Sequence, residues 1–228
     1  MSDNQYFKGS HNPANFFKSF RFDARFYRNN PDYLEPCGIW VFCGSQGSGK
    51  TLSAVKCVKN LIKEYPKALL CSNLEINGIN KEIIPFTDYE QLQTLTNGIE
   101  GVIFLIDEIH VLWNSLESKN IPISEMAVFC QMRKERRIII GTSQVYSRIA
   151  KPIREQLRYV ILCRNIAKYL QINQVIDPNA EGYTGEKDGE LEGEVVSRQW
   201  FFHSPADYQA YNTLSKISRI ARKGVKTK

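Results

Sequence analysis

An eight-residue segment, GSQGSGKT at residues 44–51, constrains this chain more than any other part of its sequence. It fits the pattern G-x-x-x-x-G-K-[ST]. An apolar run at 39–43 precedes it, and apolar residues at helical spacing follow from Leu52 to Tyr65. Glycines in such a turn let successive backbone N–H groups converge on an anion, and the next helix adds partial positive charge at its N-terminus. The sequence therefore predicts a strand–loop–helix unit that binds the phosphates of a nucleotide.

The predicted nucleotide-binding residues are those of this loop and the first residue after it. They are Gly44, Ser45, Gln46, Gly47, Ser48, Gly49, Lys50, Thr51 and Leu52. The Lys50 ammonium would reach the β- and γ-phosphates, and the Thr51 hydroxyl would be a ligand of Mg²⁺. ATP and Mg²⁺ are the expected cofactors. The base-recognition run N-K-x-D is absent, which disfavours a GTP switch, and no motif marks a pocket for the adenine.

A second motif follows the apolar run Val102–Ile106, which is typical of a central parallel strand covered on both faces. The run ends in Asp107 and Glu108, and ligands of open α/β sheets bind at the carboxyl ends of the strands. Asp107 would hold the Mg²⁺ shell. Glu108 would orient and polarise the water that attacks the γ-phosphate.

The apolar run 138–140 leads into Gly141-Thr142-Ser143-Gln144, at the same predicted edge. Gln144 is the first choice for a sensor that contacts the γ-phosphate or the water, and Ser143 is the second. Basic residues flank this strand: Arg133, Arg136, Arg137, Arg148, Arg154 and Arg158. In a ring of subunits, one arginine would stabilise the transferred phosphoryl group of a neighbour. Arg133 and Arg136 are the favoured candidates, with a solvated or DNA-facing basic surface as the alternative.

Strands that alternate with helices predict βαβ units and one α/β domain at 37–213, with a mainly parallel central sheet flanked by helices. Residues 168–203 predict a C-terminal β-hairpin whose loop, 177–194, is rich in Gly and acids and is expected to be mobile. Residues 214–228 form a basic tail. Thr87 and Glu90 predict a capping box that opens a short helix through about Leu95.

Residues 1–36 are predicted to be an irregular N-terminal arm, because aromatic and basic residues alternate there without a clear pattern. The favoured interpretation is a segment laid over the domain core. The alternative is an arm that binds a neighbouring subunit, a capsid surface or nucleic acid. The first thirty residues lack the continuous apolar core of a signal peptide.

Composition excludes several classes of protein. The six cysteines are scattered, without a C-x-x-C pair or a Cys/His cluster, so a zinc site is not expected. No apolar stretch reaches the roughly 18 residues of a membrane span. The net charge of +6 permits a polyanionic partner without requiring one.

The ordered motifs resemble those of the FtsK/HerA superfamily of DNA-pumping ATPases, and within it small viral genome-packaging ATPases and Zot-type phage assembly proteins. The residues that carry the resemblance are GSQGSGKT, CSN at 71–73, FLIDEIH at 104–110, QMRK at 131–134, GTSQ at 141–144, PIR at 152–154 and the late segment PADYQAYNT at 205–213. It covers about residues 38–213. The family implies a phosphate-loop ATPase that forms a homo-oligomeric ring, with arginines acting between subunits.

The resemblance predicts an ATP-hydrolysing motor that moves nucleic acid, most simply double-stranded DNA bound without sequence preference. Zot-type proteins continue into a membrane-spanning segment, which this sequence lacks, so packaging into a preformed capsid is favoured over export. Capsid or portal vertex proteins are then expected partners, in the host cytoplasm or at the packaging vertex of the virion. A Zot-type export ATPase, a small-molecule kinase and a non-hydrolysing assembly factor remain alternatives.

Overall fold

The computed structural model describes residues 13–116, 123–180, 186–187 and 190–211. The strands are β1 (Gly38–Cys43), β2 (Leu69–Ser72), β3 (Ile83–Pro85), β4 (Val102–Ile106), β5 (Arg137–Ser143), β6 (Leu157–Ile166), β7 (Leu170–Asp177), β8 (Glu186–Lys187), β9 (Glu190–Leu191) and β10 (Glu194–Phe202). The helices are α1 (Pro13–Asn29), α2 (Lys50–Glu64), α3 (Gln91–Thr94), α4 (Ile123–Gln131), α5 (Lys151–Arg154) and α6 (Pro205–Tyr208). The predicted basic tail at 214–228 lies outside the described residues.

One sheet of eight strands organises the domain, in the order β10-β7-β6-β1-β5-β4-β2-β3. The six strands from β6 to β3 are parallel, and β7 and β10 add to β6 as an antiparallel hairpin. Helical segments connect most of the parallel strands, except that β2 leads to β3 without a helix between them. The predicted fold class, a mainly parallel sheet with a C-terminal hairpin, is confirmed.

The apolar runs found in the sequence are the middle of this sheet, and a core packs on each face. Every residue of β4 is buried, and so is every residue of β5. Helix α2 covers one face through Ala54, Val55 and Val58, while Phe129 and Ile153 belong to the core on the other. Each fully buried Ile, Leu or Phe contributes about 1.5–3 kcal/mol of transfer free energy. The central strands are therefore held rigidly, which fixes the loops at their ends.

The segment between β7 and β10, predicted as a mobile loop, contains two short strands. Strands β8 and β9 pair there as a short antiparallel ribbon, with Lys187 opposite Glu190. Leu191 packs against the core on the α4 side.

Helix α1 also contradicts the prediction of an irregular arm. Its 17 residues contain no buried side chain, so it does not lie over the core as the favoured interpretation held. Its C-terminal end is tied to the body instead: Phe26 and Tyr27 contact the Tyr33 ring edge-on, and Arg136 lies 4.4 Å from the centroid of that ring. The aromatic residues of this helix do recur at helical spacing, but the basic residues that alternate with them hid that register in the sequence.

The capping box predicted at Thr87 and Glu90 does not form. The Gln91 side-chain oxygen accepts hydrogen bonds from the backbone N–H groups of Thr87 (2.7 Å) and Asp88 (3.0 Å), the role that the predicted box gives to the Glu90 side chain. Helix α3 consequently begins one residue beyond Glu90.

Among the described residues, no helix has both the length and the apolar character needed to cross a bilayer.

Candidate active site

The phosphate loop connects the end of β1 to the start of α2. Gly47 and Gly49 have positive φ angles of 79° and 81°, a conformation that glycine adopts without steric cost. A side chain at Gly49 would also collide with the Gln171 amide. Lys50 folds back over the loop, where its Nζ donates to the Ser45 carbonyl oxygen at 3.1 Å. The glycines are thus required both by the turn itself and by the strand packed behind it.

Asp107 and Thr51, 56 residues apart in sequence, meet at the carboxyl edge of the sheet. The Thr51 hydroxyl donates to Asp107 Oδ1 at 3.0 Å. Thr142, at the end of the neighbouring strand, donates to the same oxygen at 2.6 Å. Asn73, after β2, holds the aspartate backbone: its Oδ1 accepts from Asp107 N–H at 2.8 Å, and its Nδ2 donates to the Asp107 carbonyl oxygen at 3.1 Å. This is the phosphate-loop NTPase fold.

Residues at this edge fit a magnesium ion. The Thr51 hydroxyl and the Asp107 carboxylate are adjacent hard oxygen donors, and Mg²⁺ is typically bound by one or two protein oxygens together with substrate phosphates and water. Among the described residues, no group of three or more His, Cys, Asp and Glu side chains forms an independent metal site. The ion would therefore depend on the nucleotide for most of its ligands.

Glu108 has an unusual backbone, with φ 54° and ψ 50° in the left-handed region. A non-glycine residue there is strained and persists only where its surroundings hold it. Here the Glu108 N–H donates to the Thr142 hydroxyl at 2.9 Å. One threonine thus fixes both members of the acidic pair, Asp107 through its carboxylate and Glu108 through its backbone.

His110 was not singled out from the sequence, although it belongs to the run at 104–110. Its Nδ1 lies 3.4 Å from the Ser143 hydroxyl, which itself donates to the Val145 carbonyl oxygen at 2.9 Å. Burial lowers the pKa of His110 below the ordinary value of 6.5, and the Glu108 carboxylate opposes that shift. Arg148 and Lys50 also act on this pKa, which shows that the imidazole lies within electrostatic reach of the loop.

Gln144 follows Ser143, which pairs with Cys43 at the end of β1, so β5 and the phosphate loop share one edge. The Gln144 side-chain oxygen accepts from Arg148 Nη1 at 3.1 Å. Gln144 is therefore at the predicted edge, and its amide is engaged by an arginine that the sequence did not distinguish from its neighbours.

Arg133 and Arg136 lie at the opposite edge of the sheet, before β5 begins. The Arg136 carbonyl oxygen accepts from Val102 N–H at 2.9 Å, at the amino end of β4. The Arg136 guanidinium donates to the Leu34 carbonyl oxygen at 3.4 Å and stacks on the Tyr33 ring. Arg133 is exposed. Neither arginine is brought to the nucleotide edge of its own subunit, so a role in catalysis requires a second subunit.

Two polar residues of β7, Gln171 and Asn173, support the loop from behind and were missed in the sequence. Gln171 is completely buried; its Nε2 donates to the Ser48 carbonyl oxygen and to Asn173 Oδ1, each at 3.0 Å. Asn173 Oδ1 also accepts from the Ser53 hydroxyl of α2 at 3.1 Å. The signal available was weak: Gln171 and Asn173 are two residues apart, and so on one face, in a strand that reads LQINQVID.

Comparison with known proteins gives the following picture. No family model and no curated protein matches the chain. Similar solved structures include the N-terminal domain of zonular occludens toxin from Neisseria meningitidis, with 15% identity, a TM-score of 0.49 and coverage of 77% of this chain and 98% of that one.

Two further similar structures are a viral NTPase and a flagellar accessory protein. The genome packaging NTPase B204 from Sulfolobus turreted icosahedral virus 2 has 12% identity and a TM-score of 0.47, covering 75% of this chain and 98% of that one. The flagellar accessory protein FlaH from Methanocaldococcus jannaschii has 14% identity and a TM-score of 0.43, covering 70% of this chain and 90% of that one. Both kinds of protein that the motifs resemble are thus among the solved structures similar to this chain.

Proposed function

We propose that this protein is an ATP-hydrolysing motor that moves nucleic acid. The observation that carries the proposal is the contact between Thr51 and Asp107, because it joins the phosphate loop to the acid of the central strand. The loop amides and Lys50 would bind the phosphates, and Thr51 and Asp107 would hold Mg²⁺. The bound ion would neutralise charge that develops on the phosphoryl oxygens.

Glu108 is the proposed general base. Its backbone is fixed by Thr142, so the carboxylate is carried at the strand end beside the metal ligand. A carboxylate in this position would orient the attacking water and accept its proton, a contribution of roughly 10²–10⁴ in rate. Gln144 is the proposed sensor of the γ-phosphate, and Arg133 or Arg136 would act on the site of a neighbouring subunit in a ring.

The proposed substrate is a double-stranded DNA genome that the motor packages into a preformed capsid. Basic residues around β5 support contact with phosphates without sequence preference. The partners would be capsid or portal vertex proteins, and the protein would act in the host cytoplasm or at the packaging vertex.

The direct test measures orthophosphate release from ATP with and without DNA, for the wild type, Lys50→Ala and Glu108→Gln. We expect DNA to stimulate the wild type. Lys50→Ala should lose nucleotide binding, whereas Glu108→Gln should keep it and lose turnover by at least about 10²-fold. Wild-type turnover in Glu108→Gln would contradict the assignment of Glu108 as the general base. Transfer of the phosphate to a small acceptor instead of water would favour a kinase.

A further inference from the structure

The hairpin beside the phosphate loop has two faces of different chemistry. Its inner face carries Gln171 and Asn173, which are buried against the loop and α2. Because side chains alternate along a strand, the residues between them point to the opposite side. The strand register aligns Arg164, Ile172 and Trp200 in one row across β6, β7 and β10.

The outer face is exposed, aromatic and basic. Ile166 and Phe202 lie in the next row on one side of Trp200, and Arg198 lies in the next row on its other side. Trp200 and Phe202 are each 67% exposed, and their ring centroids are 5.8 Å apart. Arg164 and Arg198 are exposed as well. We name this surface, defined by Arg164, Ile166, Ile172, Arg198, Trp200 and Phe202, the outer hairpin face.

This face lies next to the nucleotide site. Leu162 of β6 pairs with Cys43, the last residue of β1, so β6 continues past the point where the phosphate loop begins. The Cys163 carbonyl oxygen is so near Gly44 that a Cβ there would approach it to 2.7 Å. The outer hairpin face therefore extends from the same edge of the sheet that carries the loop.

We propose that the outer hairpin face binds a nucleic-acid strand whose bases are unpaired; this rests on the proposed function as a nucleic-acid motor, but it makes a single strand, not a duplex, the substrate at this face. Arg164 and Arg198 are complementary to phosphates, and none of the six residues is an acid. Neighbouring exposed aromatic rings are the usual platform for stacked bases. A duplex turns its base faces inward and offers mainly phosphates and groove edges, so it would leave Trp200 and Phe202 without their best partner.

The same strand carries the contact to the phosphate loop. Ile172 faces the substrate surface, while the adjacent Gln171 donates to the Ser48 carbonyl oxygen. A nucleic-acid strand that holds the outward-facing side chains of β7 in place would therefore also hold in place the hydrogen bonds on the other face of β7, which shape the loop. The proposal accordingly includes stimulation of ATP turnover by single-stranded DNA through this hairpin.

The test is equilibrium binding of the full chain to a labelled oligothymidine and to a labelled duplex. We expect the single strand to bind more tightly. Trp200→Ala should weaken its binding by between about 5- and 100-fold, and Trp200→Phe should restore most of the loss because a ring is kept. Arg198→Gln should lower the slope of log affinity against log salt by about 0.7. Lys63→Gln is the matched control, since Lys63 is exposed in the last turn of α2, at the end of that helix away from the phosphate loop.

Tryptophan fluorescence gives a second readout. Trp113 is completely buried and Trp40 is half-buried, so stacking should quench mainly Trp200. The quenching should disappear in Trp200→Phe, which keeps its affinity. Single-strand affinity unchanged in both Trp200→Ala and Arg198→Gln would overturn the surface assignment alone. So would a loss of self-association in Trp200→Ala with DNA binding intact, because the face would then contact a second copy. A wild-type protein that binds neither DNA would overturn the motor proposal itself.

Discussion

The hydroxyl of Thr142 donates to Asp107 Oδ1 at 2.6 Å, so the ends of β5 and β4 are joined directly beneath the proposed metal site. The same hydroxyl oxygen accepts from the Glu108 N–H at 2.9 Å. Thr142 is almost completely buried, with 1% of its surface exposed. Water therefore has little access to replace either hydrogen bond if the hydroxyl is removed.

Thr142→Val should lower the free energy of unfolding by about 1–3 kcal/mol, because it leaves the Glu108 N–H without its partner and removes one of the two hydrogen bonds to Asp107 Oδ1. Turnover should fall by about 10- to 100-fold, the usual effect of losing a group that orients a metal ligand. Thr142→Ser should restore both properties. Thr94→Val is the control, because the exposed Thr94 hydroxyl donates only locally, to the Glu90 carbonyl oxygen four residues earlier. Denaturant unfolding and phosphate release measure the two effects. Wild-type turnover in Thr142→Val would contradict the positioning role.

Gln171→Leu should weaken ATP binding as well as stability. The substitution removes the donor to the Ser48 carbonyl oxygen and places an apolar group between Asn173 and the loop. Loss of these buried hydrogen bonds should cost about 1–3 kcal/mol. Titration calorimetry with a non-hydrolysable ATP analogue measures the affinity, and Gln199→Leu, at an exposed position of β10, provides the comparison. Unchanged affinity would show that the loop holds its shape without the hairpin.

Stability should decline as the solution is acidified from about pH 7.5 to 5.5, in part because of His110. Burial lowers the pKa of the folded imidazole below its ordinary value of 6.5. The unfolded chain therefore binds a proton first, so this contribution is complete above pH 6.5 and is lost as the pH falls below it. Denaturant midpoints across this range should show a shallower slope for His110→Gln than for the wild type. Equal slopes would refute the assignment to this residue.

Arg133 is the better of the two candidates for action between subunits, because Arg136 is already occupied by Tyr33 and Leu34. Arg133→Ala should lower turnover by about 10³-fold or more. Arg136→Ala should instead lower stability by about 1–2 kcal/mol, through loss of the ring contact and one hydrogen bond. Adding Lys50→Ala subunits to Arg133→Ala subunits should restore part of the activity. Lys134→Ala is the exposed neighbouring control. No restoration by mixing would exclude an action in trans.

Much of the fold could be predicted from the sequence because its signals are local. The strand, the glycine turn and α2 follow one another without a break, and the turn conformation depends on its own glycines. The buried run of β4 and the acids after it are equally local, and all parallel strands end at one edge. The meeting of Asp107 with Thr51 therefore follows from topology alone.

Only the tertiary structure decided the contacts that cross the fold. Gln171 reaches Ser48 over a sequence separation of 123, and Arg136 meets Leu34 over 102, distances at which no local pattern specifies a partner. Helix α1 was missed for a different reason: Phe16, Phe20 and Tyr27 do recur at helical spacing, but basic residues and further aromatic residues between them hid that register. Sequence specifies hydrogen bonds between near neighbours, and packing selects which distant polar groups become buried together. That selection separates Arg136, which contacts the Tyr33 ring, from Arg133, which stays exposed.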